Sequence, residues 1–357
     1  MQAVHQFIAG FVNGDAISNE TIVINKTFAS LGHETNIFCE TRRTLPHLRS
    51  LIKDIKTAKA IVKPSDVAIL HLSIGSDVND VFAELTCRKA IIFHNITPPC
   101  YFKFFNPAVA LLLQRGLEQV QQMKSCAEVY LADSKYNADE LLRLGYKDVR
   151  VLPLLINYDM LKNVDKAYFK KLCDGFCNIL FVGRIAPNKK IEDVIFAFHC
   201  FKKWVNPDSR LILAGSYSGM ERYLHFLKAG MKELGTEDVI FTGMIPQEKL
   251  NACYAAASIF LCMSEHEGFC IPLLESMYHS VPVMAYSAAA VPETMDGAGI
   301  LFREKQFDKI AEMMGVVWEN KTWREAIIRG QRERLSRYKE RNLAGELCSH
   351  LERLFVK

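Results

Sequence analysis

The sequence contains no long apolar run. Nowhere in its 357 residues is there a stretch of about 18 uninterrupted apolar residues, the length that a membrane-spanning helix needs. The N-terminal stretch MQAVHQFIAG has no positive charge ahead of its apolar residues, so we expect no secretory signal. The net charge of +4 is too weak to indicate a nucleic-acid partner, and we expect none. These absences favour a cytoplasmic protein.

Several motifs for phosphate binding and catalysis are also missing. No Gly-x-Gly-x-x-Gly follows the first strand-like run, so the hypothesis of a dinucleotide-binding dehydrogenase lacks its main support. The sequence has no Gly-x4-Gly-Lys-Ser/Thr loop and no Gly-x-Ser-x-Gly elbow, which argues against P-loop enzymes and α/β-hydrolases. An aspartate-rich metal motif is absent as well. We therefore expect neither a metal ion nor a cofactor.

The eleven cysteines form an odd and irregularly spaced set. Cys173 and Cys177 are close together but have no histidine beside them, which gives a zinc site little support. The simpler interpretation is that the cysteines are reduced thiols, packed as small hydrophobes.

Strand-like and helix-like segments alternate along the first half. A first apolar run is followed by the turn Asn13-Gly14-Asp15 and by a helical stripe that Gly32 ends. Further strand candidates are NIFCE, VAILHLS, AIIFHN and EVYLADS. Near-continuous apolar strands that alternate with helices are typical of a parallel sheet covered on both faces.

The second half repeats this pattern with a clearer signature. Three strand-like runs end at Gly183, Gly215 and Gly243, which are 32 and 28 residues apart, about one strand–helix–strand unit. SIFLCMS and PVMAY continue the sheet. We therefore predict an α/β protein of two doubly wound, Rossmann-like domains that face each other across a cleft.

The predicted domain boundaries follow from these segments. An N-terminal, acceptor-side domain is expected over 1–155 and a linker over 156–176. A C-terminal domain that binds a nucleotide sugar is expected over 177–335, and a helical tail over 336–357. We expect the tail to pack back toward the N-terminal domain.

Two cations follow the first strand of the C-terminal half. Arg184 comes directly after Gly183, and Lys189 lies five residues later near the start of a helix. Ligands bind at the carboxyl ends of parallel strands, where cations and a helix N-terminus suit a diphosphate. A pair of solvated surface charges is the alternative.

Two acids lie in the segment SEHEGFCIPLLESMYHSVPVMAY. Glu267 and Glu275 flank a tight turn into a helix, so their carboxylates could accept hydrogen bonds from the hydroxyls of a ribose and of a sugar. The turn would also expose backbone N–H groups of Phe269, Cys270 and Ile271 toward an anion. The alternative is two acids favoured by the helix dipole.

Together these motifs show a family resemblance. Gly-Arg-x4-Lys, followed about eighty residues later by Glu-Gly-Phe-x-x-Pro-Leu-Leu-Glu, closely resembles the retaining glycosyltransferase family four, whose members have the B-type fold. The likeness extends to SVPVMAYSAAAVPETMDGAGILF. GDAISNE and HNITPP resemble a subset of bacterial members that build surface polysaccharides, including lipopolysaccharide.

The resemblance implies roles for individual residues. Arg184 and Lys189 would bind the donor diphosphate, Glu275 the ribose, and Glu267 the transferred sugar. His94 would lie near the sugar and the acceptor, unless it is a satisfied histidine at a strand end. The catalytic set is thus His94, Arg184, Lys189 and Glu267. The donor-binding set is Gly14, Asp15, Gly183, Arg184, Lys189, Ser216, Met244, Ile245, Glu267, Phe269, Cys270, Ile271 and Glu275.

The chain also departs from the family pattern. Members often have glycine where this chain has Lys190 and Cys270, and SAAAVPE lacks a glycine pair often seen before that Pro-Glu. Cys270 still has a backbone N–H to donate, so we do not interpret it as inactivating.

One segment suggests a membrane surface. Residues 45–63 predict a helix with cations on one side and apolar residues largely on the other, as in helices that rest on anionic lipid. An ordinary surface helix is the alternative. The aromatic run from Tyr101 to Phe105 could meet a lipid-linked acceptor or be buried. The cations concerned are Arg49, Lys53, Lys56, Lys59 and Lys63.

The leading hypothesis is a metal-independent, retaining glycosyltransferase. It would transfer a hexose, mannose or glucose, from a GDP- or UDP-linked donor to a growing, lipid-linked polysaccharide on the inner face of the membrane. Two alternatives stay open: a nucleotide-sugar epimerase of similar fold, and a catalytically silent partner subunit that binds a sugar nucleotide.

Overall fold

The computed structural model describes residues 2–12 and 14–355. Asn13, part of the turn predicted before the first helix, lies outside the described residues. The chain divides into two units. Unit 1 consists of Met1–Cys100, Ala108–Asn157 and Asn342–Lys357, and unit 2 consists of Tyr101–Pro107 and Tyr158–Arg341.

Unit 1 contains a seven-stranded parallel sheet in the order β3-β2-β1-β4-β5-β6-β7. Its strands are β1 (Val4–Ile8), β2 (Thr35–Cys39), β3 (Lys53–Asp54), β4 (Val67–Leu72), β5 (Arg88–Phe93), β6 (Val129–Ala132) and β7 (Val149–Val151). Its helices are α1 (Ala16–Ser30), α2 (Ala58–Ile61), α3 (Asp77–Glu84), α4 (Pro107–Gln122) and α5 (Lys135–Arg143).

The central strands of unit 1 are buried on both faces. Every residue of β1, β4 and β6 is buried; β4 and β6 are near-continuous apolar runs in the sequence, whereas β1 contains the buried polar residues His5 and Gln6. The strand segments predicted for the first half are confirmed.

Unit 2 contains a six-stranded parallel sheet in the order β10-β9-β8-β11-β12-β13. Its strands are β8 (Cys177–Val182), β9 (Ser209–Ala214), β10 (Val239–Gly243), β11 (Ile259–Cys262), β12 (Val283–Tyr286) and β13 (Ile300–Phe302). Its helices are α6 (Lys166–Leu172), α7 (Ile191–Trp204), α8 (Glu221–Leu234), α9 (Gln247–Ala256), α10 (Ile271–Tyr278), α11 (Val291–Met295), α12 (Phe307–Glu319) and α13 (Lys321–Glu340).

The chain returns to unit 1 with its last helix, α14 (Leu343–Leu351). Leu347 and Leu351 of α14 are fully buried. The tail was predicted to begin at 336, inside α13, whereas the structure changes unit between Arg341 and Asn342. From Tyr158 onward, the predicted linker belongs to unit 2. Over residues 2–12 and 14–355, no helix combines the length and the apolar character needed to cross a membrane.

The single helix predicted over 45–63 is wrong. The segment forms 3-10 turns at Pro46–Leu51 and Ile55–Thr57, the short strand β3 between them, and the one-turn helix α2. The Asp54 side chain accepts a hydrogen bond from Lys56 N at 3.0 Å and so begins a new turn within the segment. Contact with an anionic membrane stays a prediction, and it no longer rests on a continuous amphipathic face.

The aromatic run 101–105 belongs to unit 2 and is mixed in character. Phe102 is buried, and the ring of Phe105 packs 4.9 Å from that of Tyr223. Phe104 is 78% exposed, so a single ring of the run could meet an apolar partner.

Two glycines of unit 1 let helix α4 pack against the loop after β4. Gly75 N donates a hydrogen bond to Leu112 O at 3.1 Å. A Cβ added to Gly116 would lie 2.7 Å from Gly75 N and 2.9 Å from Ile96 Cδ1. The first of these neighbours is backbone and cannot rotate away, so the contact depends on the missing side chain.

We predict opposite effects for alanine at two helical glycines. Gly116→Ala should lower the free energy of unfolding by about 1–3 kcal/mol, because the added methyl group overpacks a buried contact. Gly230→Ala in α8 should raise it by about 0.5–1 kcal/mol, because a Cβ there meets no described atom within 4 Å and alanine favours the helix. Denaturant midpoints of both variants test this, and equal shifts of one sign would contradict it.

Candidate active site

The sheet of unit 2 has a switch point between β8 and β11. The chain leaves β8 toward β9 on one side, and β11 lies on the other side. In open parallel sheets, the crevice at the carboxyl ends of two such strands is where ligands bind. Arg184 and Lys189 follow β8, and Glu267 and Glu275 follow β11. The four charged residues predicted for the donor site therefore flank one switch point.

The strand ends beside this point lie very close together. A Cβ added to Gly215, after β9, would lie 1.9 Å from the carbonyl oxygen of Gly183, after β8. Gly183 has φ 150° and Gly215 φ 152°, so both also have a backbone conformation that favours glycine. The two strand ends therefore pack closely against each other, and Gly215 has no room for a side chain.

Lys189 and Glu267 form an ion pair at this switch point. Lys189 Nζ lies 2.6 Å from Glu267 Oε2, and both side chains are largely buried. Burial lowers the pKa of Lys189, but the negative charge of Glu267 outweighs it, so the pKa lies above its ordinary value. Asn188 holds the two loops together, because its backbone oxygen accepts from Glu265 N at 3.0 Å and its Nδ2 donates to His266 O at 3.1 Å.

Arg184 lies on the more open side of the site. It is exposed, and its Nη2 donates to Ser218 O at 3.2 Å in the loop after β9. Ser216 lies in the same loop, where its backbone oxygen accepts from Ile185 N at 2.9 Å. Met244, directly after β10, is exposed, and Ile245 beside it is half-buried. The predicted donor residues of this side thus follow three neighbouring strands.

Helix α10 begins at the turn that carries the family motif. Cys270 precedes it in the left-handed conformation, with φ 73°, although most residues disfavour that region. Phe269 O accepts a hydrogen bond from Thr294 Oγ1. Glu275, on the second turn of α10, accepts from the Tyr254 hydroxyl at 2.6 Å. Burial raises the pKa of Glu275, and the Tyr254 hydrogen bond opposes that effect in part.

Sequence reasoning missed a thiol group at this site. Sγ of Cys262, Sγ of Cys270 and a carboxylate oxygen of Glu267 lie within 4.8 Å of one another. Cys262 ends β11 and donates a hydrogen bond to Ser264 Oγ at 3.3 Å. The two cysteines are eight residues apart across a loop, a spacing that matches no metal or redox motif.

Gly14 and Asp15 belong to unit 1, where they precede α1. Gly14 is exposed with φ 73°, and a Cβ there would meet no described atom within 4 Å. Asp15 caps α1 by accepting a hydrogen bond from Ser18 N at 2.9 Å. The turn therefore presents open backbone at a helix N-terminus.

His94 is also in unit 1, directly after β5, and is buried. Its Nε2 lies 3.0 Å from His71 Nδ1, and its Nδ1 lies 3.4 Å from Asp133 Oδ2. Nε2 is within hydrogen-bond distance of His71, whereas the buried Nδ1 has no hydrogen-bond partner among the described residues, so the histidine is satisfied only in part. Its contact with a sugar stays a prediction. Glu20, His71 and Asp133 were not singled out in the sequence, because no local spacing connects them.

Comparison with known proteins adds to this geometry. The family model for glycosyl transferases group 1 matches residues 172–340. O-antigen chain mannosyltransferase B of Escherichia coli is 31% identical over 154 residues, which span 42% of this chain and 39% of that protein. The chain therefore matches well under half the length of this relative.

Two solved structures resemble the whole chain. Sucrose-phosphate synthase of Thermosynechococcus elongatus has a TM-score of 0.76 at 17% identity and covers 99% of both chains. HepE of Anabaena, solved in complex with UDP and glucose, has a TM-score of 0.73 at 18% identity and covers 98% of this chain and 100% of that one. These likenesses establish the B-type glycosyltransferase fold. The segment that matches the family model for glycosyl transferases group 1 contains Arg184, Lys189, Glu267 and Glu275.

Proposed function

We propose that the chain is a retaining glycosyltransferase that moves a hexose from a nucleotide-diphosphate sugar to a growing, lipid-linked polysaccharide. The Lys189–Glu267 pair at the switch point of unit 2 carries this proposal, because it lies in the segment that matches the family. The sugar is mannose or glucose, on a GDP- or UDP-linked donor. The mannosyltransferase from Escherichia coli and the glucose bound to HepE support this choice of sugar.

Charge stabilisation of the leaving group is the main source of catalysis in this proposal. As the bond from the anomeric carbon to the diphosphate breaks, negative charge builds up on the diphosphate oxygens. Lys189 stays protonated because Glu267 raises its pKa, and Arg184 adds a second cation. A fixed donor aimed at such an oxygen is typically worth about 3 kcal/mol. These cations take the place of a divalent metal.

The two glutamates have separate roles. Glu275 is held by Tyr254 through Oε2, and we assign its other oxygen to the ribose hydroxyls. Glu267 is held by Lys189 and accepts hydrogen bonds from hydroxyls of the transferred sugar. The acceptor hydroxyl attacks on the face that the diphosphate leaves, and its proton passes to a diphosphate oxygen. None of these steps uses His94, whose contact with the transferred sugar stays a prediction.

No observation specifically favours either of the two alternative functions. A nucleotide-sugar epimerase and a silent partner subunit would both bind a sugar nucleotide, but the matching family is one of transferases. Mass spectrometry of products, after incubation with a panel of nucleotide sugars and a saccharide acceptor, tests the proposal. A glycosylated acceptor is expected. An epimerised donor, or binding without any reaction, would overturn it.

We predict that Arg184→Ala and Lys189→Ala each lower the turnover number by at least about a hundredfold, because each removes a cation from the leaving group. Lys190→Ala is the matched control, since its Nζ pairs with Glu192 at 3.1 Å. It should change turnover by less than about threefold. Near-normal turnover in folded Arg184 and Lys189 variants would contradict the diphosphate assignment.

Substitutions of the two glutamates should affect different quantities, nucleotide binding for Glu275 and turnover for Glu267. Glu275→Gln should weaken binding of the bare nucleoside diphosphate, because a ribose contact exists before and during reaction. Glu267→Gln should mainly lower turnover, because a contact with the reacting sugar strengthens as charge develops. Calorimetry and steady-state kinetics measure the two effects. Glu265→Gln is the control, because the Glu265 carboxylate pairs with Lys305 at 2.8 Å. The opposite pattern would reverse the two roles.

Transfer should not depend on added divalent metal. In metal-free buffer, addition of Mg²⁺ or Mn²⁺ should leave the initial rate unchanged within about twofold, because the cations at the diphosphate belong to the protein. Initial rates across a titration of each ion test this. A rate that rises steeply and saturates with either ion would show that the leaving group needs a metal.

A further inference from the structure

Four ionisable side chains of unit 1 meet in a closed space, and the proposed reaction uses none of them. This buried cluster consists of Glu20 from α1, His71 from β4, His94 from the end of β5 and Asp133 from the end of β6. The four side chains are at most 3% exposed. The nitrogen and oxygen atoms that face each other are 3.0 to 3.8 Å apart. Any hydrogen between them is therefore shielded from bulk water.

A neighbouring amide determines which nitrogen of His71 carries hydrogen. Gln6 Nε2 donates to the carbonyl oxygen of Thr21 at 2.9 Å, so Gln6 presents its Oε1 to His71 Nε2, also at 2.9 Å. An amide oxygen only accepts, so the hydrogen is on His71 Nε2. Burial and the neighbouring His94 lower the pKa of His71 well below its ordinary value, so this ring is neutral. The lone pair of His71 is then on Nδ1.

His94 supplies the hydrogen for that lone pair. His71 Nδ1 and His94 Nε2 lie 3.0 Å apart. The planes of the two rings differ by 10° and their centroids are 5.2 Å apart, so the rings are nearly coplanar and the hydrogen bond runs along their common plane. Because His71 Nδ1 only accepts, the hydrogen between the rings belongs to His94 Nε2.

A neutral His94 would then turn a lone pair on Nδ1 toward a carboxylate. Asp133 Oδ2 lies 3.4 Å from His94 Nδ1, an ion-pair distance, although the contact lacks hydrogen-bond geometry. The other Asp133 oxygen accepts from Asn137 Nδ2, which holds Asp133 as an acceptor. A buried lone pair and a carboxylate oxygen repel each other unless a hydrogen lies between them. The buried cluster therefore holds one proton more than two neutral rings supply.

The surrounding charges favour His94 as the carrier of this proton. Burial alone would lower the pKa of His94, but its contacts with Asp133 and Glu20 outweigh burial, so the pKa lies above its ordinary value. Glu20 Oε2 is 3.6 Å from His94 Nε2 and has no hydrogen-bond partner among the described residues. Asp15, at the start of α1, adds a further negative charge. From α5, Glu140 accepts from the side chain of Asn95, the residue after His94, at 3.3 Å.

Glu20 connects the buried cluster to the segment that leaves unit 1. Its Oε1 accepts from Leu155 N at 3.1 Å, three residues before unit 2 begins at Tyr158. If His94 lost its proton, the carboxylates of Glu20 and Asp133 would share a closed space without a cation, which is unfavourable. Glu20 would then turn toward water, and Leu155 N would lose its acceptor.

We propose that the buried cluster is a pH-sensitive fastening: a proton on His94 lets Glu20 hold the segment at Leu155 against α1, and loss of that proton releases the segment. A ring with hydrogen on both nitrogens has no lone pair, so His94 in this state cannot take the proton of an acceptor hydroxyl. The fastening is a property of unit 1 and does not depend on which reaction the chain catalyses.

The direction of the pH dependence follows from the pKa of each member. A group whose pKa is raised in the folded protein stabilises it at low pH and loses that contribution as pH rises through the folded value. The pKa of His94 is raised, and burial raises the pKa of Asp133 and brings that of Glu20 to about 7. The lowered pKa of His71 acts in the opposite direction, but its contribution ends near the ordinary value of 6.5. Stability of unit 1 should therefore fall as pH rises above about 6.5.

Nitrogen NMR of the full chain, labelled at histidine, tests where the proton lies. At pH 6.5, His94 should have hydrogen on both nitrogens and His71 on Nε2 alone, and His94 should lose one proton as pH rises. The signals that shift in Glu20→Gln or in Asp133→Asn identify the pair without replacing either histidine. A neutral His94 at pH 6.5, or a His71 that titrates in its place, would overturn the proposal.

Removal of one negative charge tests the origin of the proton affinity. Asp133→Asn keeps the shape of the side chain, and His94 should then lose its proton at least about one pH unit lower. Glu20→Gln should act in the same direction and serves if the first variant does not fold. Glu118→Gln is the matched control, because Glu118 of α4 is exposed and contacts Gln114 instead of the buried cluster. A midpoint that neither cluster variant moves would contradict the proposal.

Hydrogen exchange at Leu155 tests the release of the segment. The protection factor of its amide, which corrects for the intrinsic pH dependence of exchange, should fall at least about tenfold as His94 loses its proton. The amide of Val67, which donates to Ala3 O at 2.9 Å, is the reference within unit 1 and should lose less protection. If Leu155 keeps its protection, or loses no more than Val67 does, no segment is released and the proposal is wrong.

Discussion

The ion pair between Lys189 and Glu267 joins two segments that are 78 residues apart in sequence. A buried cation without a partner would lose its proton, and removing one member of a buried pair typically costs about 3–5 kcal/mol. Each charge therefore depends on the other before any ligand arrives. In the proposed reaction, the charge of the diphosphate takes over part of this role, so Lys189 would stay protonated with and without the donor. The loops after β8 and β11 must keep their positions for this to work, and Asn188 hydrogen-bonds across them.

Much of this arrangement could be predicted from the sequence. Parallel strands buried on both faces are short apolar runs, and the glycines that follow β8 and β9 and end β10 mark where each run stops. Because the carboxyl ends of parallel strands share one edge, residues such as Arg184 and Glu267 could be assigned to one site from their positions alone. The hydrogen-bond partners of the site residues were harder to predict from the sequence. Tyr254, for example, donates to Glu275 from a different helix.

The failures have physical causes. In the segment 45–63, the spacing of cations suggested a helix, but spacing does not reveal that Asp54 caps a new turn or that Lys53 pairs with β2. The cluster around His94 draws on β1, α1, β4 and β6, and only the order of strands in the sheet brings those elements together. Such a set has no local pattern. A histidine within an apolar strand, such as His71, was the one available signal.

The order of elements along the chain affects how the protein is made. Unit 1 includes α14, whose Leu347 and Leu351 are fully buried, yet α14 follows all of unit 2 in the sequence. During synthesis, every strand and helix of unit 2 leaves the ribosome before α14 does. The sheet of unit 1 is therefore synthesised first, but unit 1 is complete only after α14. Until then, the apolar surface that packs against α14 is exposed to water. Chaperones that bind exposed apolar surface would have their longest opportunity there.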